Sequence, residues 1–353
     1  MAAYINTIGA AVPPYDVHKK FIEFAGARLA TERHRQLFFR MADRAEIEHR
    51  YSFLPVTEAT VVDDFDFYRP GQFPDITTRM NFFEGCALDL AAKALDAAAL
   101  ASITDQVTHV IIVTCTGFYC PGLDIEIIRR FGLARTVERT TVGFMGCCAA
   151  INGLKIAGHI VNSNPTAKVL MINLELCTLH FQDTTDLERM LLFMLWGDGC
   201  AACVVSAEPY GIEMNSFTSL VLPDTTDQMS WRIGTSGFEM QLSGAVPHTL
   251  ARELPKNIDR ILGGHSREDI ALWAIHPGGR SILDAIANAI PVDASALCYS
   301  RDVLRRFGNM SSATFMFILK SMLDDRRAGL GCGMAFGPGL VAESMLFTMV
   351  GPP

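Results

Sequence analysis

Cys147 sits in Thr141-Val142-Gly143-Phe144-Met145-Gly146-Cys147-Cys148-Ala149-Ala150, where an apolar strand gives way to helical spacing. The first turn of a helix has unpaired backbone N–H groups and the positive end of the helix dipole, both of which favour a thiolate and can receive an oxyanion. Free cysteine loses its proton only near pH ~8.5, so this placement matters for a nucleophile. The competing reading is two small buried hydrophobes at a strand end.

Two further stretches put polar side chains at the same kind of boundary. In Ile275-His276-Pro277-Gly278-Gly279-Arg280 a histidine leaves an apolar strand just before a helix, and in Phe307-Gly308-Asn309-Met310-Ser311-Ser312-Ala313 an asparagine precedes a helix start. Singly, His276 reads as a structural or surface histidine and Asn309 as a helix cap. Together, thiol, imidazole and amide can capture an acyl group and then stabilise a carbonyl turned enolate.

These boundaries require a layered α/β body. Apolar strand patterns occur at Ala3 to Val12, His109 to Thr114, Thr140 to Phe144, Lys168 to Asn173 and around Cys200 to Val205, with helical spacing at residues 16 to 42, 84 to 101, 123 to 132 and 149 to 162. A second run has helices near 246 to 263, 280 to 289 and 311 to 324, a strand at Ala271 to Ile275, and two closing strands, Gly331 to Phe336 and Val341 to Phe347, joined by Gly337-Pro338-Gly339. Two lobes are expected, residues 1–207 with the cysteine and 208–353 with the histidine and asparagine.

Composition narrows the partners. Half of the 353 residues are hydrophobic and 19% are charged, which suits a buried sheet and excludes a disordered chain. A net charge of -8 argues against nucleic acid or an anionic membrane as the main partner. Most of the ten cysteines lie in apolar segments and no secretory leader pattern precedes them, so reduced thiols and a cytoplasmic home are expected. Cys200-x-x-Cys203 lies in a buried-looking strand without a second pair, so no metal site is expected. No apolar run reaches the ~18 residues of a membrane span.

Six collinear motifs carry a resemblance. Gly146-Cys147, His276-Pro277-Gly278-Gly279, Gly308-Asn309-Met310-Ser311-Ser312-Ala313, Phe336-Gly337-Pro338-Gly339-Leu340, Trp196-Gly197-Asp198-Gly199 and the pair Thr114 to Gly122 with Glu175 to Phe181 resemble, nearly end to end, the type III polyketide synthases. This is the chalcone synthase-like family, here its bacterial branch. The resemblance implies an α/β thiolase-like fold, five layers αβαβα built from two similar lobes, and a homodimer using acyl-CoA and malonyl-CoA without a further cofactor.

Carried over by position, Cys147 would hold the starter acyl group, and His276 would pair with its thiolate and share the malonyl-derived enolate with Asn309. The family motif selects Cys147 over Cys148, because the nucleophile directly follows the glycine. Arg40 and Arg44, spaced i, i+4 on one helix face, would meet CoA phosphates, with Gly279 and Arg280 nearby. Trp196 stands at a gatekeeping phenylalanine and Met240 at a second aromatic gate. Cys115, Cys177, His180 and Phe336 are the remaining cavity positions, and Trp231 falls near them in a loosely aligned loop. Thiols in place of hydroxyls make the pocket more apolar and favour aliphatic starters. Another thiolase-fold condensing enzyme, an initiating ketoacyl synthase or a hydroxymethylglutaryl-CoA synthase, is the near rival. A silent acyl-binding scaffold is the rival from another class.

Overall fold

Alternation along each strand sorts the side chains into separate cores. In Val169–Leu176, Val169 and Met171 join one cluster while Leu170, Ile172 and Leu174 join another; in Asp198–Ser206, Ala201, Cys203 and Val205 face the first and Cys200, Ala202 and Val204 the second. The same period of two recurs in Gly329–Gly337 and Val341–Val350, where Ala335, Met345 and Phe347 join the first cluster and Met334, Phe336 and Leu346 a third. Three cores between two faces of sheet and three layers of helix give the expected five-layer αβαβα body.

The shared central core holds the helices Ala149–Ser163 and Ser312–Asp324. One outer core lies under Ile76–Ala97 and Leu123–Phe131, the other under Val246–Ile261 and Arg280–Ala289. Each fully buried Leu or Ile contributes roughly 1.5–3 kcal/mol against leaving it in water, so these faces dominate the fold's stability. Where Ile76–Ala97 crosses Ala3–Ala11, a Cβ on Gly9 would lie 2.2 Å from the Ala94 carbonyl oxygen, so only glycine lets the layers approach this closely.

The computed structural model describes residues 2–54, 67–69 and 71–351. Its main sheet has nine strands, in the order Leu272–Ile275, Gly329–Gly337, Val341–Val350, Gly211–Val221, Ala3–Ala11, Asp198–Ser206, Val169–Leu176, His109–Thr114 and Glu138–Gly143. The halves are hydrogen-bonded to each other, through the pairs Ala3↔Met214, Tyr4↔Glu213 and Ile5↔Ile212.

Sequence patterning missed the joining strand, Gly211–Val221, because Glu213, Asn215, Ser216, Thr218 and Ser219 dilute its apolar alternation. It also missed the hairpin Met229–Gly234 with Gly237–Leu242 and the helices Leu187–Phe193 and Cys298–Phe307. The helical run expected over residues 16 to 42 is two helices, His18–Arg28 and Glu32–Arg44, because Thr31 accepts the His34 N–H at 3.2 Å and starts a new one. Among the described residues no helix is long and apolar enough to cross a membrane.

Candidate active site

The turn before the central helix is built to present one thiol and bury the next. The strand Glu138–Gly143 ends in Phe144 and Gly146, both with positive φ, and a single 3-10 turn over Gly146–Cys148 runs into Ala149–Ser163. Cys115 pins this turn, its Sγ accepting the Gly146 N–H at 3.1 Å. Cys147 then faces a cavity of about 790 Å³, counting its open mouth. Cys148 turns away into the central core and donates its thiol hydrogen to the Met145 carbonyl at 3.1 Å.

His276 and Asn309 reach the same cavity from the other half. The His276 N–H continues the sheet by donating to the Met334 carbonyl at 2.8 Å, while both ring nitrogens are buried without a hydrogen-bond partner. Buried polar atoms normally find partners, so two orphans on one ring facing a cavity point to a ligand. Asn309 is oriented rather than orphaned. Its Oδ1 accepts the Ser311 N–H at 2.9 Å, and its Nδ2 donates to the Gly278 carbonyl at 3.3 Å, leaving the second amide hydrogen for a ligand.

Backbone pairing fixes these groups relative to the cavity wall. The Asn309 N–H donates to the Leu195 carbonyl at 2.7 Å and its carbonyl accepts the Gly197 N–H at 3.0 Å, so Trp196 and Asn309 are locked side by side. Trp196, Met240, Cys115, Cys177 and Phe336 line the same cavity as Cys147. Trp231 lines it too, with its indole N–H donating to the Cys115 carbonyl at 2.8 Å.

Five expected positions are placed elsewhere. His180 is not on the cavity wall: its Nε2 meets the Thr116 carbonyl at 2.7 Å, its Nδ1 accepts the Phe238 N–H at 2.9 Å, and its ring stacks on Phe238 with centroids 4.3 Å apart. With both nitrogens used and burial pushing it down to about 3, it is a neutral clamp between the Cys177–His180 turn and the Gly237–Leu242 strand. Arg280 forms ion pairs with Glu46 at 3.0 Å and Asp284 at 3.3 Å, so its fork is occupied by carboxylates rather than open to phosphate. Gly279 caps the helix beginning at Arg280 and is buried, one residue beyond the wall residue Gly278. Arg40 and Arg44 are exposed on Glu32–Arg44, with no side-chain ion pair among the described residues.

Electrostatics separate the three cavity thiols. Burial and the neighbouring Glu175 push Cys115 and Cys177 well above the ordinary range, leaving them apolar wall. Cys147 is pushed up to about 11 by burial, against which hydrogen bonds from Ser311 and Asn309 pull down. Burial holds His276 down to about 3. Thus a lone thiolate and a lone imidazolium are each disfavoured by burial here.

Two contributors escaped the sequence reading. Glu175 is fully buried, accepting the Cys115 N–H at 2.9 Å, the Thr116 hydroxyl at 2.8 Å and the Ser312 hydroxyl at 2.6 Å, and burial pushes it up to about 7. Ser311 holds a strained φ of 49° at the cavity edge. An acidic residue within the apolar run Val169 to Leu176 was the signal available for Glu175. Among the described residues no group of three or more His, Cys, Asp or Glu side chains could hold a metal ion.

Residues 2–209 match the N-terminal domain and residues 213–351 the C-terminal domain of chalcone and stilbene synthases. The alpha-pyrone synthesis polyketide synthase-like protein Pks18 of Mycobacterium tuberculosis is 32% identical over 342 residues, covering 91% of this chain and 86% of that protein. Bisdemethoxycurcumin synthase of Oryza sativa is 28% identical over 376 residues, covering 98% and 92%. Among solved structures, 1,3,6,8-tetrahydroxynaphthalene synthase of Streptomyces coelicolor superposes with a TM-score of 0.87 at 25% identity, covering 98% of this chain and 99% of that one. The C-terminal type III polyketide synthase domain of Steely1 from Dictyostelium has the same fold, with a TM-score of 0.91 at 24% identity and coverage of 99% and 100%.

Proposed function

The chain belongs to the chalcone and stilbene synthase family, the type III polyketide synthases of the thiolase superfamily, and from that membership we propose that it loads an acyl-CoA on Cys147, extends it with malonyl-CoA and cyclises the product. The convergence of Cys147, His276 with two unpartnered nitrogens, and Asn309 on one largely apolar cavity carries this reading.

In the loading step the Cys147 proton passes to neutral His276 as Sγ attacks the thioester carbonyl, and the CoA sulfur leaves with that proton. Malonyl-CoA then enters with its thioester oxygen between a His276 N–H and the free Asn309 amide hydrogen. Carbon–carbon cleavage releases carbon dioxide and leaves its electron pair as an enolate, which those two donors stabilise. The enolate carbon attacks the Cys147 thioester, expelling the thiolate, and the lengthened chain remains on CoA for the next cycle. No strong base is required, because decarboxylation generates the carbanion.

The apolar wall of Cys115, Cys177, Trp196 and Met240 supports aliphatic acyl starters. Alkylresorcinol, alkylpyrone and phloroglucinol-type rings are the product classes proposed, and the relative named for alpha-pyrone synthesis favours the pyrone. Exposed Arg40 and Arg44 are the proposed contacts for CoA phosphates, and a cytoplasmic homodimer is the proposed working form. Incubation with malonyl-CoA and a panel of acyl-CoAs should release carbon dioxide and free CoA and yield cyclic products by mass spectrometry. No turnover with any starter would overturn the reading.

A further inference from the structure

Arg50 is buried and forms no part of the cavity wall around Cys147, yet its side chain touches both segments that hold Asn309. Its Nη1 donates to the carbonyls of Phe193, at 3.2 Å, and of Trp196. Its stem lies against Gly308, where a Cβ would be 2.8 Å from Cγ of Arg50 and 2.7 Å from the Leu195 carbonyl oxygen, and where φ of 68° also favours glycine. Asn309 exchanges backbone hydrogen bonds with Leu195 and Gly197, so one arginine grips this bridge from both sides.

The other end of Arg50 is fixed independently. Its carbonyl accepts the Val17 N–H at 2.8 Å, its N–H donates to Oδ1 of Asp16 at 3.3 Å, and its Nε donates to Nδ1 of His18 at 2.9 Å. Burial holds His18 down to about 3, so that ring stays neutral and remains an acceptor. The guanidinium also lies 4.8 Å from the centroid of the Phe21 ring.

This arrangement is costly for the fold. Nη2 is buried with no partner among the described residues, and burial lowers the guanidinium to about 9, so the core carries a poorly solvated cation. What the cation supplies is Nη1, a single nitrogen that serves two carbonyls on the segment beside Asn309. A lysine would bring a point charge in place of the planar fork and would hold that segment less well.

Resting on the synthase reading above, we propose that Arg50 is a positioning residue for the decarboxylation half of the cycle: through Trp196 and Gly308 it sets the Asn309 amide against the thioester oxygen of malonyl-CoA. The loading half, which uses Cys147 and His276 on other backbone segments, does not depend on it.

The test compares two half-reactions in Arg50→Met and Arg50→Lys. Decarboxylation is read as carbon dioxide released from malonyl-CoA without a starter, and loading as the rate of Cys147 acylation by hexanoyl-CoA, followed by intact mass. Arg50→Met should slow decarboxylation at least about tenfold and loading by less than about threefold, since a misplaced group costs rate in the step it serves. Arg50→Lys keeps the charge and a donor, so it should show the same split with a smaller loss; it decides the question should Arg50→Met not fold. Equal losses in both half-reactions, or no loss in decarboxylation, would overturn the positioning role. A crystal structure of either variant gives a readout independent of turnover. The Gly197–Asn309 hydrogen bond should lengthen and the Asn309 amide should shift, while the Gly146–Cys148 turn stays in place. A shifted Asn309 in a protein whose parent does not decarboxylate malonyl-CoA overturns the synthase reading alone; an unshifted Asn309 with normal decarboxylation overturns the positioning role alone.

Discussion

Gly146 leaves the space that Pro338 fills: a Cβ on Gly146 would lie 2.2 Å from Cδ of Pro338. The Gly146–Cys148 turn is thereby pressed against the hairpin turn of the other half, so the position of Cys147 depends on both.

Gly146→Ala should be severely destabilising. The residue has φ of 73°, a left-handed conformation costly to any side chain, and the added methyl meets a rigid ring. Strain and overpacking together suggest about 3 kcal/mol, read as a lowered guanidinium midpoint. An unchanged midpoint would contradict the contact.

The adjacent thiols should behave differently. Cys147→Ala should abolish the acyl-enzyme seen by intact mass after incubation with an acyl-CoA. Cys148→Ala should still load, because its sulfur faces Met145 and the core, although removing a buried sulfur should cost about 1 kcal/mol of stability. Loading that survives the first change and fails in the second would exchange their roles.

Iodoacetamide labelling against pH tests the coupled proton transfer. In the proposed mechanism the thiolate forms by handing its proton to His276, so with that residue present labelling of Cys147 should occur at neutral pH. In His276→Ala the thiol has no acceptor and burial holds it up at about 11, so labelling at pH 7 should fall at least about tenfold and rise only in strong alkali. Superimposable profiles would rule out the transfer.

Glu175 should make the protein less stable as pH rises. Its carboxyl titrates at about 7 when folded and near ~4.3 when unfolded, so between these values the native state keeps a proton that the unfolded chain has lost. Stability therefore falls through that window, by roughly 3–4 kcal/mol once above it. Asp198, also raised to about 7 by burial, adds in the same direction. Glu175→Gln keeps the hydrogen-bonding shape and should raise the melting temperature at pH 8 more than at pH 5; equal shifts at both would count against a protonated Glu175.

What could be read from the sequence was whatever local patterning encodes. The strand His109–Thr114 and the helix Leu123–Phe131 follow their apolar periods closely, and the Gly-Cys, His-Pro-Gly-Gly and Gly-Asn motifs pointed to three side chains that the fold brings to one cavity. Long-range relations were not legible. Whether His180 lines a cavity or clamps a hairpin is decided by Phe238, 58 residues away, and Arg280 is claimed by Glu46, a carboxylate from the other half. The ion pair expected for His276 and Cys147 depends on how deeply each is desolvated, which no motif records.

The opening strand, Ala3–Ala11, lies at the middle of the nine-stranded sheet, yet its neighbours are Asp198–Ser206 and Gly211–Val221. During synthesis it emerges before both neighbours and finds no partner strand until about 200 further residues have followed. At ~5–20 residues per second that interval lasts roughly 10–40 s, during which two unpaired backbone edges and an apolar face are open to misassembly. Cotranslational folding must therefore begin elsewhere, and the central strand of the finished sheet is the one left waiting during its manufacture.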